Sequence, residues 1–321
     1  RANFNTEFKE RAAQVYFAGL TRGLRPDPFL SVSEWADQHR FLSNKSSAEP
    51  GKWRTARTPY LKEILDCLSA NSPIEEIVLM AAAQIGKTET GNNWVGYVVD
   101  RTPGPMLAVQ PTVELAKRYS RQRIDSLIED TPRLKNKVKP ARERDSGNTM
   151  LAKEFSGGIL IMTGANSAVG LRSVPARFLF MDEIDAYPQD VDGEGDPVSL
   201  ARARTRTFSR RKILLTSTPT VHGLSRIEQA FDESDQRRFH VPCPHCGEFQ
   251  TLKWGFLRWE QGDPNSVYLE CEFNKCKIEE FQKTEMLARG RWVSENPENG
   301  NPKIAGFHIN SLYSPVGWFS W

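Results

Sequence analysis

Residues 74–88 read IEEIVLMAAAQIGKT: a short apolar run, then small residues, then Gly-Lys-Thr. The unbroken apolar stretch from Ile77 to Ala83 has the length of a buried strand. The stretch after Thr88 has helical texture, so the segment predicts strand, loop and helix in succession. In that context Gly86-Lys87-Thr88 reads as the end of a phosphate-binding loop. The chemistry asks for these residue types. Successive backbone N–H groups and the first helical turn surround phosphate oxygens. Lys87 reaches the terminal phosphates of ATP, and the Thr88 hydroxyl ligates Mg²⁺. Ala81, Gln84, Ile85, Gly86 and Glu89 complete the expected nucleotide-binding segment. One departure stands out: Ala81 occupies the slot of the first glycine in GxxxxGK[ST].

Outward from this loop, short apolar runs recur at PMLAVQ (105–110), GGILIMTG (157–164), RFLFMDE (177–183) and KILLTSTP (212–219). Helix-length segments such as 113–129 lie between them. Strands alternating with helices predict a mostly parallel α/β sheet. The run at 177–181 enters Asp182-Glu183 directly. A carboxylate at that strand end holds Mg²⁺, and its neighbour orients or deprotonates the attacking water. Thr216, Ser217 and Thr218 form a hydroxyl-rich turn after another strand; it either senses the γ-phosphate or simply ends the strand. Together these segments read as a P-loop NTPase of the RecA-like (ASCE) type.

Composition narrows the class. Of 321 residues, 39% are hydrophobic and 26% charged, with 8 Trp and 17 Phe, which excludes disorder as the main state. No apolar run approaches the roughly 18 residues of a membrane span, so no membrane partner is expected. The opening RANFNTEFKER has no apolar signal core, and its lack of Met reads as a cut or processed chain. The formal charge of +3 is too mild to mark a nucleic-acid binder by itself. It is an average over blocks: 182–196 holds seven acidic residues and no basic one, and 199–212 six basic residues and no acidic one. Asp190, Asp192 and Glu194 look like the front of a calcium loop. Its twelfth position would be Ala201, so that reading fails.

Cysteines mark a second unit. Cys243-Pro-His-Cys246-Gly is a tight thiolate knuckle, and Cys271 and Cys276 come after it with a wider gap. Four thiolates so spaced can close a tetrahedral Zn²⁺ site, with His245 or His240 as substitutes, or they are plain buried thiols. Cys67 reads as core. The expected organisation is an N-terminal arm at 1–50, an ATPase core at 51–240, a zinc-ribbon-like insertion at 241–290, and a return strand at 291–321.

Several segments in fixed order resemble the large terminase subunit of tailed bacteriophages of the lambda type. They are WADQHRFLS (35–43), PGKWRTARTPYLKEI (50–64), the phosphate loop, GLRSVPARFLFMDEIDAYP (170–188), RTRTFSRRKILLTSTPT (204–220), CPHCG (243–247) and GFHINSLYSP (306–315). The resemblance implies an ATPase motor that drives double-stranded DNA into a procapsid in the host cell cytoplasm. It also implies a portal protein and a small terminase subunit as partners, a homo-oligomeric ring, and a nuclease domain beyond the motor, expected to be missing from a chain that stops at Trp321. Residue by residue, it implies Tyr60 at the adenine, Arg172 as an arginine finger, and Thr216, Ser217 and Thr218 coupling hydrolysis to movement. DNA phosphates would meet Lys117, Arg118, Arg121 and Arg123, and Arg202, Arg204 and Arg206. The rival readings are a helicase-like ATPase and a non-hydrolysing DNA- or capsid-binding module.

Overall fold

The computed structural model describes residues 2–24, 29–45, 47–138, 148–298 and 301–321. Two compact units divide the chain, residues 1–30 and 31–321. The first is built on helix α1 (Ala2–Leu24). The second opens with α2 (Val32–His39), started by a capping box in which Ser31 and Glu34 satisfy each other's backbone N–H. A short ladder, β1 (Phe41–Leu42) with β2 (Gly51–Lys52), precedes α3 (Leu61–Cys67).

The predicted alternation then begins. It runs β3 (Glu76–Ala81), α4 (Lys87–Arg101), β4 (Pro105–Gln110) and α5 (Val113–Tyr119), which continues through a π turn at 120–124 into α6 (Asp125–Asp130). Next come α7 (Pro132–Lys135), β5 (Ala152–Phe155), β6 (Gly158–Gly164), α8 (Ala168–Arg172), β7 (Phe178–Asp182), α9 (Pro197–Ala203), β8 (Lys212–Ser217) and α10 (Arg226–Asp232). The last part holds β9 (Arg237–Pro242), β10 (Phe249–Gln250), β11 (Leu257–Glu260), β12 (Asp263–Glu270), β13 (Lys277–Ile278), α11 (Lys283–Ala288), β14 (Arg291–Ser294) and β15 (Ile304–Ile309).

Ten strands form one sheet in the order β10-β9-β15-β3-β8-β7-β4-β6-β5, with β14 also on β9. The ladders from β9 across to β6 are parallel; β5, β10 and β14 pair antiparallel. Helices cover both faces, which is why the central strands are continuous apolar runs. On one face Val78, Met80, Leu107, Val109, Leu179, Met181, Ile213 and Leu215 pack with Leu171 of α8, Val198 of α9, and Ile227 and Phe231 of α10. Period-two alternation turns Phe178 and Phe180 to the other face. There Phe178 meets Trp94 of α4 edge-on at 5.8 Å, and Phe180 meets Tyr119 of α5 at 6.4 Å. The carboxyl ends of β3, β7 and β8 converge where the strand order reverses, the place where open α/β sheets bind ligands.

Two boundaries differ from expectation. The compact division falls after Leu30 rather than at residue 50, because buried Trp35 donates its indole N–H to Asp100 of α4 at 2.8 Å. The main sheet also runs beyond 241: β9 starts at Arg237 and β14 returns to it, so the cysteine-bearing part hangs between two sheet strands. Among the described residues no helix is long and apolar enough to cross a membrane.

Candidate nucleotide site and thiol cluster

The loop between β3 and α4 turns through two left-handed residues, Gln84 (φ 63°) and Gly86 (φ 101°). At Gly86 a side chain is excluded twice, by the backbone and by Leu61 Cδ1, which would lie 2.8 Å from an added Cβ. Gly86 is the N-cap of α4 with no side-chain cap, so the first N–H groups of the helix are free to take an anion. Ala81 is not left-handed; it is the last residue of β3 and needs no glycine. Its carbonyl accepts the Lys87 ammonium at 3.1 Å.

Lys87 is 6% exposed and is gripped on two further sides. Glu183 lies 3.1 Å away as an ion pair, and the Thr218 hydroxyl accepts from the ammonium. Thr88 Oγ1 donates to Asp182 Oδ2 at 3.2 Å, Thr216 Oγ1 donates to Asp182 Oδ1 at 2.6 Å, and Gln110 Nε2 reaches Oδ2 at 3.5 Å. Burial pushes the Asp182 carboxyl above the usual aspartate range, and the neighbouring Glu183 charge adds to it; the Thr216 hydroxyl works the other way. Such a carboxylate, with a threonine hydroxyl beside it, suits a hard divalent cation that would offset its lost hydration. Glu183 is itself left-handed (φ 54°), and its Oε2 accepts the Thr218 N–H at 3.3 Å, with Ser217 Oγ at 3.5 Å. Lys87, Glu183, Ser217 and Thr218 thus form one bonded group at the rim, and Thr88, Gln110, Asp182 and Thr216 form a second beside it along the same chain segments.

Other expected residues stand elsewhere. Tyr60 is fully buried, its ring edge-on to Phe239 at 6.1 Å and its carbonyl taken by the Trp292 indole at 2.9 Å. It is a packing residue between α3 and the β9–β14 edge, so its ring is not available to a base. Glu89 turns from the loop to Arg40 (3.1 Å), Asn92 (3.0 Å) and Arg123 (3.5 Å). Arg202 is half-buried and spends its charge on Glu76, at the start of β3; Arg204 is half-buried and donates to the Arg172 carbonyl at 3.3 Å. Lys117, Arg118 and Arg121 are exposed, as is Arg206. Arg172 is half-exposed and paired with Glu194 at 2.5 Å.

Two residues at the rim carry no sequence motif. Gln110 ends the strand that the apolar run at 105–110 predicts, and its place at the strand's carboxyl end is the signal that points to it. Asp185 stands inside the acidic block and looks there like solvated charge.

In the second unit's last part, Sγ atoms of Cys243, Cys246, Cys271 and Cys276 all lie within 4.8 Å of one another, and Cys246 and Cys271 are 3.8 Å apart. A tetrahedral Zn²⁺ with bonds of about 2.3 Å separates its sulfurs by about 3.8 Å, so the four thiols fit that ion. Two tight turns hold them. Gly247 (φ 79°) donates to the Cys243 carbonyl at 2.9 Å, and Lys275 (φ 56°) donates to the Cys271 carbonyl at 3.1 Å. All five cysteines are free thiols, and Cys67 is buried in the core. The wider second gap is thus absorbed by a left-handed residue before Cys276.

The sheet order and its rim define the P-loop class of α/β nucleotide-handling domains. Family comparison matches residues 47–292 to "Phage terminase large subunit gpA, ATPase domain". The large terminase subunit of Enterobacteria phage P21 is 30% identical over 328 residues, 95% of this chain and 50% of that protein. That of Escherichia phage lambda is 30% identical over 335 residues, 98% of this chain and 52% of that protein. Among solved structures, the large terminase ATPase domain of Thermus phage P74-26 is 14% identical with a TM-score of 0.39, covering 74% of this chain and 76% of that one. The chain belongs to the gpA family of phage terminase large-subunit ATPase domains, and spans about half the length of the curated relatives it matches.

Proposed function

We propose that this chain is the ATP-hydrolysing motor part of a viral DNA-packaging terminase, translocating double-stranded DNA into a procapsid in the host cell cytoplasm. The observation that supports this reading is the junction at Lys87, whose ammonium lies 3.1 Å from Glu183 and donates to the Thr218 hydroxyl, while the Thr218 N–H donates to Glu183. In this reading the Gln84–Thr88 backbone and Lys87 hold the phosphates of ATP. Thr88 and Asp182 hold Mg²⁺, which neutralises charge developing on the transferred phosphoryl group. Glu183 orients the attacking water once nucleotide draws Lys87 away. Thr216 and Ser217 keep Asp182 and Glu183 in register with the turn at Thr218. Arg172 exchanges Glu194 for the nucleotide of a neighbouring subunit in a ring docked on a portal protein and served by a small terminase subunit.

Lys117, Arg118 and Arg121 grip DNA phosphates in this reading, and that grip weakens steeply with salt. The four thiols hold a structural Zn²⁺. The test is Mg²⁺-dependent ATP turnover in the presence of double-stranded DNA. Lys87→Ala and Glu183→Gln should each lower kcat by about 100-fold or more, with Arg172→Ala reduced as strongly. Wild-type protein that hydrolyses no ATP when assembled with DNA and portal would overturn the motor reading.

A further inference from the structure

We infer that Asp185 is a positioning residue that fastens the phosphate-sensing turn after β8 to helix α10, so that a change at the nucleotide reaches the strand carrying the thiol cluster. This rests on the motor reading above. Asp185 lies two residues beyond Glu183, in the single 3-10 turn 184–186. Its backbone N–H donates to Ser217 Oγ at 3.2 Å. Its carboxylate is filled from two other segments. Oδ2 accepts the Thr220 N–H at 3.1 Å and the Thr220 hydroxyl at 3.0 Å, while Oδ1 accepts the Ile227 N–H at 2.9 Å. One side chain therefore joins the end of β7, the turn leaving β8 and the first turn of α10.

The chemistry needs a carboxylate there. Both oxygens face backbone N–H donors, and an amide of the same size would turn its own NH₂ toward one of them. Asp185→Asn thus keeps the shape and breaks the junction.

On the nucleotide side the connection is short. Thr218 touches Lys87 through its hydroxyl and Glu183 through its N–H. Thr220, two residues on, is held by Asp185. On the far side α10 has little slack. Arg226 donates to the carbonyls of Tyr187 (2.8 Å) and Pro188 (2.7 Å), so the loop after Glu183 holds the helix from a second direction. At the other end Ser234 presses on Gly306 of β15, where an added Cβ would meet Ser234 Oγ at 1.8 Å, and Asp235 accepts the Gly306 N–H at 3.0 Å. The chain then enters β9 and reaches Cys243. Displacement of Thr218 when Lys87 changes partner is passed through Thr220 and Asp185 to α10, and from α10 to β9.

The test is steady-state ATPase with and without double-stranded DNA on wild type, Asp185→Asn, Thr220→Val and the double variant. Asp185→Asn should lower the DNA-stimulated kcat by about tenfold and Thr220→Val by about threefold, with the double variant no worse than Asp185→Asn. The KM for ATP should stay within about twofold of wild type, because neither side chain meets nucleotide. DNA stimulation equal to wild type in Asp185→Asn overturns the inference, and so does a KM that rises in step with the loss of kcat. Should Asp185→Asn fail to fold, Thr220→Val decides alone, and wild-type stimulation in it overturns the relay. Wild-type turnover that DNA does not raise would overturn the motor reading and this inference with it. A stimulated wild type beside an equally stimulated Asp185→Asn overturns the inference alone.

Discussion

His308 shows how much of a residue's behaviour is set by its surroundings. It lies on β15 beside the strand that leads into the phosphate loop. Arg238 Nη1 donates to its Nδ1 at 2.6 Å, which fixes the neutral ring. Burial first, and the Arg238 charge second, push its pKa down to about 4. The unfolded chain binds a proton near pH 6.5, and the folded chain does not until about pH 4. Stability from this site is therefore complete above pH 6.5 and is lost as pH falls toward 4, by roughly 2–3 kcal/mol. Urea unfolding across that range should show a steeper loss for wild type than for His308→Gln; equal slopes would contradict it. The same contrast explains which site residues the sequence made legible. Lys87, Thr88, Asp182 and Glu183 follow apolar strand runs that the sequence displays, and the structure gathers them at one rim of the sheet. Tyr60, Glu89 and Arg202 are ordinary types whose meaning depends on burial and partner. Tyr60 faces Phe239, Glu89 faces Arg40, and Arg202 faces Glu76.

At the scale of elements, the sheet dictates what α4 carries. Gly91 sits in its second turn, where a Cβ would lie 2.2 Å from Phe180 Cζ. In an exposed helix Gly→Ala stabilises by up to about 1 kcal/mol. Here overpacking against β7 should reverse the sign, and Gly91→Ala should cost about 1–3 kcal/mol in chemical unfolding. Phe180→Leu in the same chain should recover part of that loss. A stabilised Gly91→Ala would mean that Phe180 does not press on this helix. The central strands were readable because both faces are covered, which forces unbroken apolar runs such as FLFMD in β7. β9 and β14 were not. RRFHVP and RWVS carry charges because only part of each is buried, and β14 has β9 as its one partner among the described strands and so lies at the sheet's edge.

For the whole molecule, the acidic block is compensated in part by cations from outside the basic block. Arg172 pairs with Glu194 and Arg226 with Asp196 (3.3 Å), so part of the acidic loop answers to cations of the same chain. The thiol unit is the other global feature, and it depends on the core unequally. It hangs on β9 and β14, while β3 is held on both sides by β8 and β15. Its own three-stranded sheet, β11 to β13, leaves Trp254, Trp259 and Phe273 exposed and has little apolar core. A tetrathiolate metal would then supply most of its folding energy, on the order of 10–16 kcal/mol by comparison with zinc-finger peptides. Freshly purified protein should hold one zinc per chain, and Cys243→Ser should lose it. After zinc is stripped with a chelator, hydrogen exchange should accelerate through 257–278 while the amides of 76–81 stay protected and ATP still binds. Undiminished protection of 257–278 without metal would show that the thiols pack well enough alone. Loss of protection in β3 as well would show that the unit is a keystone of the sheet rather than an appendage on its edge.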